Sequence, residues 1–431
     1  KVIDANLKSE YKTKPLAIAK VKSDKISRLY STKVGVGFGN VFVTKANIVH
    51  NSKRSKTLSY GVIANHFANK YSPLNDLAKN SKNSMHLYAK KIRASHIFLA
   101  NLDYDRRTAL YYDEKVSFEE DKFFRNRFAF TKFSFSAISK EISADKLKHN
   151  SVFFISDLNE FSENQISLST NLSKTISNIR YAWEITFDNY LRYNNADTKV
   201  DNTDLKILGL SPNVSFNRFG IDFDIGFDSD LADDLSFGFF PTFKTSKELV
   251  KDILLIYGGM SYAKQIHTLK SLSDENPYIH SFATNQTMVE DSIFLQDLKI
   301  TDVQELFFGI RNVLANGEVF EWRISYGIVT NFTNFIRYDT EIYNRFHIEF
   351  IDENVKQLHL TANYSKKLNE IISLNANADY FNWNLDIYHK PNLIVDLNAL
   401  INLRDKIKVS PSISYMGERI VMDSNINLPS Q

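Results

Sequence analysis

Strict alternation of apolar and polar residues is the feature that most constrains what this chain can fold into. It is clearest from Phe219 onwards. The apolar positions there are Phe219, Ile221, Phe223, Ile225 and Phe227, and the positions between them are Gly220, Asp222, Asp224, Gly226 and Asp228. Successive side chains of a β-strand point to opposite faces, whereas a helix would scatter these residues around its surface. The pattern therefore predicts strands, and it returns after Phe320, Gln357, Phe381, Leu393 and Ile407.

The length of these runs narrows the class of β protein. Most last about nine to eleven residues, which is the length of a tilted membrane strand, whereas a globular strand usually has about 5–6 residues. One face of these predicted strands carries an uninterrupted row of apolar, often aromatic side chains. The other face carries polar side chains, which must contact water. We predict an all-β fold, a large antiparallel transmembrane β-barrel with about 20 strands in this chain, within a range of roughly 16–22. A soluble β-sandwich or propeller is the alternative, because its strands also alternate.

The amino-acid composition excludes several other classes of protein. The chain has 431 residues, 13% of them aromatic, which excludes a disordered or fibrous protein. A net charge of +3 argues against a nucleic-acid partner. The absence of cysteine excludes thiolate catalysis, disulfides and cysteine-bound metals. The longest apolar run is the five residues from Ile253 to Tyr257, too short for a membrane-spanning helix.

The alternation also assigns side chains to the two faces of the predicted barrel. Lipid-facing residues should include Ile221, Phe223, Ile225, Trp322 and Ile324. Residues lining a hydrated lumen should include Asp222, Asp224, Glu321, Arg323, His359 and Asn384.

The connections between predicted strands are of two kinds. Tight turns are predicted at Gly39-Asn40, Asn217-Arg218 and Asn316-Gly317, and long connections at 68–83, 106–124 and 265–303. Short turns at one end and long loops at the other are typical of outer-membrane barrels. Residues 1–28, which include the basic stretch Lys8 to Lys25, read as an extended periplasmic or lumenal arm, and 29–431 as the barrel.

No motif supports catalysis, a cofactor or a metal site. Asp222 to Asp234 is acidic but does not fit the spacing of an EF-hand loop. The glycines at 35, 37 and 39 lack the spacing of a dinucleotide site. The basic cluster from Lys53 to Lys56 suits either lipid head groups or a simple turn. We therefore expect a protein that is not an enzyme.

Several short motifs resemble a known family. They are Leu29-Tyr30, Val36 to Asn40, Asn51 to Lys56, Tyr60 to His66 and the loop motif Asp274 to Tyr278. Together they resemble the barrel region of TonB-dependent-receptor-like outer-membrane proteins of Bacteroidota. The resemblance implies a bacterial outer-membrane location and solute passage or uptake.

Two departures from that family shape the functional expectation. The family carries an N-terminal plug of well over a hundred residues, whereas only about 28 residues precede the first predicted strand. The last residues do not close on an aromatic residue, so the final strands are expected to be missing. The alternative function is therefore a non-transporting accessory or scaffold subunit of a larger outer-membrane complex. The expected partners are outer-membrane lipid and other outer-membrane or periplasmic proteins that close or use the barrel.

Overall fold

A computed structural model describes most of residues 30–420. Within that range it leaves out positions 41 and 54 and the segments 71–78, 111–124, 141–145, 159–162, 194–202, 233–236, 280–298, 315–316, 338–345 and 404–406. The predicted arm therefore lies outside the described residues, as does much of the loops predicted at 106–124 and 265–303.

The described chain is almost entirely strand. The elements are β1 (Thr32–Gly39), β2 (Val43–Asn51), β3 (Leu58–Lys70), β4 (Lys79–Ile92), β5 (His96–Leu110), β6 (Arg125–Ser139), β7 (Lys148–Leu158), β8 (Glu163–Ile176), β9 (Ile179–Tyr193), β10 (Thr203–Arg218), β11 (Ile221–Ala232), β12 (Phe237–Val250), β13 (Leu254–Ile266), α1 (Leu269–Glu275), β14 (Ile300–Val313), β15 (Val319–Thr330), β16 (Phe332–Arg337), β17 (Phe346–Ile351), β18 (Val355–Lys367), β19 (Ile372–Trp383), β20 (Leu393–Leu403), β21 (Ile407–Val409) and β22 (Ser412–Met416). No helix in this part of the chain is long and apolar enough to cross a membrane.

Twenty of these strands form one antiparallel sheet. Neighbours in sequence pair with one another, except that β15 pairs with β18 and that β21 and β22 both pair with β20. The strands β16 and β17 form a separate hairpin that is inserted between β15 and β18. The count agrees with the expected twenty, although β16 and β17 lie outside the main sheet.

The longest connections all lie at one end of the sheet, which also holds the three-residue turn between β1 and β2. The connections at 176–179 and 218–221 are two-residue turns in which Ser177, Asn178, Phe219 and Gly220 all have positive φ. Positive φ at both central residues gives the turn whose twist matches paired strands. The connections at 266–300 and 330–355 lie at the other end, which we call the loop end.

One long-range contact requires the sheet to curl. Arg107 of β5 donates from Nη1 to the carbonyl oxygen of Asp274, at 3.2 Å, and Asp274 lies only eight residues beyond the end of β13. Eight strand spacings separate β5 from β13, which is roughly 38 Å in a flat sheet. The segment from Ile266 to Asp274, mostly helix, reaches only about 20 Å. The sheet must therefore curve until these strands approach one another.

The two faces of the sheet differ in chemistry and in exposure. On β15, Phe320, Tyr326 and Ile328 are 44%, 54% and 43% exposed. The alternating positions between them hold Glu321, Arg323 and Ser325, and Ser325 is buried. We call these the apolar face and the polar face.

Candidate functional site

The polar face is covered at the loop end by folded loops, which we call the loop cap. The loop cap consists of residues 267–279, which include α1, the β16–β17 hairpin, and residues 384–391. Thr268 begins α1 with a capping box, in which its hydroxyl accepts from the backbone N–H of Ser271 and the Ser271 hydroxyl pairs with the Thr268 backbone. The candidate site is the contact between this cap and the wall formed by β5 to β8.

Glu163, the first residue of β8, holds the beginning of α1. Its carboxylate accepts hydrogen bonds from the backbone N–H groups of Leu269, at 2.8 Å, and Lys270, at 3.3 Å. The side chain is buried at the loop end of a 14-residue strand, beyond the roughly nine to eleven residues that cross a membrane. Burial raises the pKa of this carboxyl to about 7, although both N–H donors and the Lys270 ammonium lower it.

Two further side chains of the wall bind the cap through its backbone. Asn126 of β6 is fully buried, and its Nδ2 donates to the carbonyl oxygens of Pro277, at 3.0 Å, and Ile279, at 2.7 Å. Arg107 binds the carbonyl of Asp274, as described above. These bonds place the motif from Asp274 to Tyr278, which carries the family resemblance, against the wall.

Apolar side chains fill the space beneath these polar contacts. One cluster joins Leu269 and Leu272 of α1 to Phe128 of β6, Leu158 of β7 and Phe335 of β16. A second joins Val329, Phe332, Val355 and Ile387. Burial of each large apolar side chain stabilises the docked cap by about 1.5–3 kcal/mol.

His267 joins the cap to the start of β14. Its Nε2 lies 2.7 Å from the hydroxyl of Thr301, which donates to the carbonyl of Asn331 at 2.6 Å. Only 1% of the residue is exposed, and burial lowers its pKa to about 4. The imidazole is therefore neutral at ordinary pH.

The residues predicted to line the lumen pair with their neighbours across the strands. Arg323 forms an ion pair with Glu305 and lies over the ring of Phe307. Glu321 accepts from the hydroxyl of Tyr257, at 2.8 Å, and His359 lies 2.8 Å from Asp379.

Of the other predicted lumenal residues, two lie on β11 and one lies in the loop cap. Asp222 and Asp224 accept from Asn217 and Asn213, and both line a cavity with Lys244 and Arg180 at the short-turn end. Asn384 follows β19 rather than lying on it, and its side chain accepts from the backbone N–H of Lys356.

The residues predicted to face lipid lie on β11 and β15. Ile225 is 45% exposed, Phe223 stacks on Phe216, and Trp322 packs edge-on against Phe308. Ile221 and Ile324 are half-buried. Their contact with lipid remains a prediction.

Sequence reasoning missed the residues that hold the loop cap. Glu163, Asn126 and His267 lie in no motif, and their partners are at least 34 residues away in sequence. In the described part of the chain, no group of three or more His, Asp or Glu residues is arranged to hold a metal ion.

Comparison with known proteins identifies solved structures that have a similar fold. No family model matches the chain, and no curated protein matches it in sequence. The FrpB iron transporter of Neisseria meningitidis superimposes with a TM-score of 0.66 at 8% identity, covering 90% of this chain and 69% of that one. The siderophore receptor PirA of Pseudomonas aeruginosa gives 0.61 at 11% identity, covering 87% and 68%. A mutant of the ferric enterobactin receptor PfeA from the same organism gives 0.64 at 11%, covering 93% and 71%. The predicted fold class, an all-β antiparallel barrel of outer-membrane type with about 20 strands, is confirmed.

Proposed function

We propose that this chain is an outer-membrane β-barrel, similar to TonB-dependent receptors, that passes solutes across the outer membrane of a Gram-negative bacterium. In this proposal the apolar face meets lipid, the polar face lines the lumen, and the loop end is extracellular. The observation that carries the proposal is the loop cap, which covers the polar face at one end and leaves its charged groups beneath it. The neighbours in fold are named as receptors and transporters of iron compounds, which supports transport without identifying a solute.

The experiment is conductance of the purified chain in planar bilayers. The wild type should insert and conduct weakly, because the loop cap obstructs the lumen. Replacing the buried Leu272 by Asp should release α1 from its apolar cluster and raise the conductance. Leu400→Asp adds the same charge away from the cap, on a side chain that is 43% exposed on the polar face of β20, and its conductance should stay low if it inserts. A large, steady current from the wild type would contradict closure by the cap, and no insertion at all would contradict the membrane assignment.

A second function, an accessory subunit of a larger outer-membrane complex, is favoured by the exposure of β1. Val34, Val36 and Phe38 are 64%, 73% and 86% exposed, and within the described residues β1 pairs only with β2. An apolar strand with an open edge is a site for pairing with another strand. Co-purification of a stoichiometric partner that is lost on Val36→Lys would support this function over transport.

A further inference from the structure

Basic side chains form an arc along part of the short-turn end. The turns at 51–58, 92–96, 139–148 and 176–179 join β2 to β3, β4 to β5, β6 to β7 and β8 to β9, so antiparallel pairing puts all four at the same end. The exposed Lys and Arg side chains in or beside these turns are Arg180, which lines the cavity of Asp222 and Asp224, and six others, namely Lys53, Lys56, Lys91, Arg93, Lys146 and Lys174. We call these six residues the basic arc.

The charge of the basic arc is not neutralised by described residues. None of the six side chains has an ion pair or a hydrogen bond within the described part of the chain, and the described residues of the four turns include no Asp or Glu. The sequence places Glu141 and Asp145 in the stretch that is not described.

The rest of the short-turn end is different. Lys366 pairs with Glu318 at 2.9 Å, and Lys251 is followed by Asp252. The excess of positive charge is therefore local to the strands β2 to β9.

Exposed apolar side chains accompany the basic arc. Leu58, Leu147 and Ile176 lie in or beside the same turns and are 41%, 59% and 51% exposed. Lys and Arg side chains beside exposed apolar residues are typical of the interface between membrane and water, where apolar groups enter the lipid and charged ends reach the head groups. An acidic protein would neutralise the positive charge of the basic arc, but its charged surface would not bury these apolar side chains as lipid does.

We propose that the basic arc binds the head groups of anionic phospholipids in the leaflet at the short-turn end. Juxtamembrane Lys and Arg are attracted to an anionic surface, and several such residues act together. The interaction would fix the depth and tilt of the β2–β9 side of the barrel. This inference rests on the proposed membrane location and adds a lipid preference to it.

The test measures which lipid stays on the protein. The chain is reconstituted in bilayers that mix phosphatidylcholine with phosphatidylglycerol, extracted gently, and the retained lipid is identified by native mass spectrometry. The wild type should retain phosphatidylglycerol preferentially. Neutralising four residues of the basic arc with K53Q, K56Q, K91Q and K174Q should reduce that preference roughly tenfold or more.

A matched variant at the loop end separates location from total charge. K45Q, K82Q, K206Q and K356Q remove the same charge from the starts of β2, β4, β10 and β18, and this variant should retain phosphatidylglycerol like the wild type. If both variants lost the preference for phosphatidylglycerol equally, or if neither lost it, the inference would be overturned. If the wild type inserts into phosphatidylcholine alone but never prefers phosphatidylglycerol, only the lipid inference fails. If it inserts into neither bilayer, the proposed function fails with it.

Discussion

Two buried titratable residues of the loop cap respond to pH in opposite directions. Glu163 has a pKa of about 7 when docked against the usual 4.5, so its contribution to docking is complete below about pH 4.5 and is lost as the pH rises towards 7. His267 has a pKa of about 4 against the usual 6.5, so its contribution is complete above about pH 6.5 and is lost as the pH falls towards 4. Between these limits the two slopes oppose one another, and the docked cap should be nearly insensitive to pH.

Substituting one of the two residues at a time should reveal the pH dependence of docking that is due to the other. Glu163→Gln leaves His267 alone, so the cap should loosen as the pH falls from 6.5 to 4.5, by up to about 3 kcal/mol. His267→Gln leaves Glu163 alone, so the cap should loosen as the pH rises over the same interval. A trifluoromethyl tag on Asp274→Cys, attached beforehand to this cysteine-free chain, reports docking by ¹⁹F NMR.

The control is Glu353→Gln, an exposed carboxylate of the β17–β18 turn. Its ¹⁹F signal should follow the wild type at every pH. If docking changed with pH in the same direction in the Glu163 and His267 variants, the two groups would not act in opposition.

The predicted lipid face is tested best at Ile225. Ile225→Arg puts a charge where β11 should meet the middle of the bilayer, so it should lower the free energy of folding into vesicles by about 2–4 kcal/mol. Asn213→Arg, on the polar face of the neighbouring β10, is the comparison and should cost far less. Urea titration in lipid measures both, and equal costs would mean that the face assignment is wrong.

At the scale of the element, β14 requires a glycine at position 309, because a neighbouring side chain occupies the space there. A Cβ added at Gly309 would overlap the ring of Tyr257, which crosses β14 from β13 to reach Glu321 on β15. The glycine thus lets one hydrogen bond join strands that are not direct neighbours.

Gly309→Ala should therefore push the Tyr257 ring away and break its bond to Glu321. We expect a loss of about 1–3 kcal/mol in unfolding free energy, because the carboxylate loses a donor in a partly buried place. Gly35→Ala, where no described atom lies within 4 Å of the new Cβ, should be nearly neutral. Tyr257→Phe should reproduce the part of the loss that comes from the hydrogen bond, and a neutral Gly309→Ala would contradict this account.

At the scale of the whole molecule, the loop cap connects distant parts of the sheet. It leaves β13, crosses the polar face and binds β5, β6 and β8 through Arg107, Asn126 and Glu163. Under the proposed function, a solute that moves along the polar face would have to displace the cap.

Locking the cap should then stop passage. Cysteines at Arg107 and Asp274, joined by a cleavable bismaleimide, should hold α1 on β5 and reduce the conductance evoked by mild denaturant to the closed level. Cleavage of the linker should restore it. Each single-cysteine variant treated with the same reagent is the control. Unchanged conductance in the locked protein would show that the cap does not lie on the path.

The sequence by itself determined the strands and their two faces, because side-chain alternation is a local property. The run from Ile221 to Asp228 separates Ile225 from Asp224 whatever lies around it, and the Phe219-Gly220 turn joins its strands within a few residues. The ends of strands were less certain. The connection predicted at 68–83 is shorter in the structure, because the polar stretch from Lys79 to Asn83 pairs with β3 as the beginning of β4.

Only the tertiary structure decided which segments leave the sheet and what they cover. Residues 346–351 alternate like any other strand, yet they pair with β16 in the loop cap, because Phe335 and Phe346 pack with α1 and the wall. The bond from Arg107 to Asp274 joins residues 167 apart in sequence, and no local pattern records such a contact. The burial of Glu163 and His267, and hence their altered pKa values, follows from that docking alone.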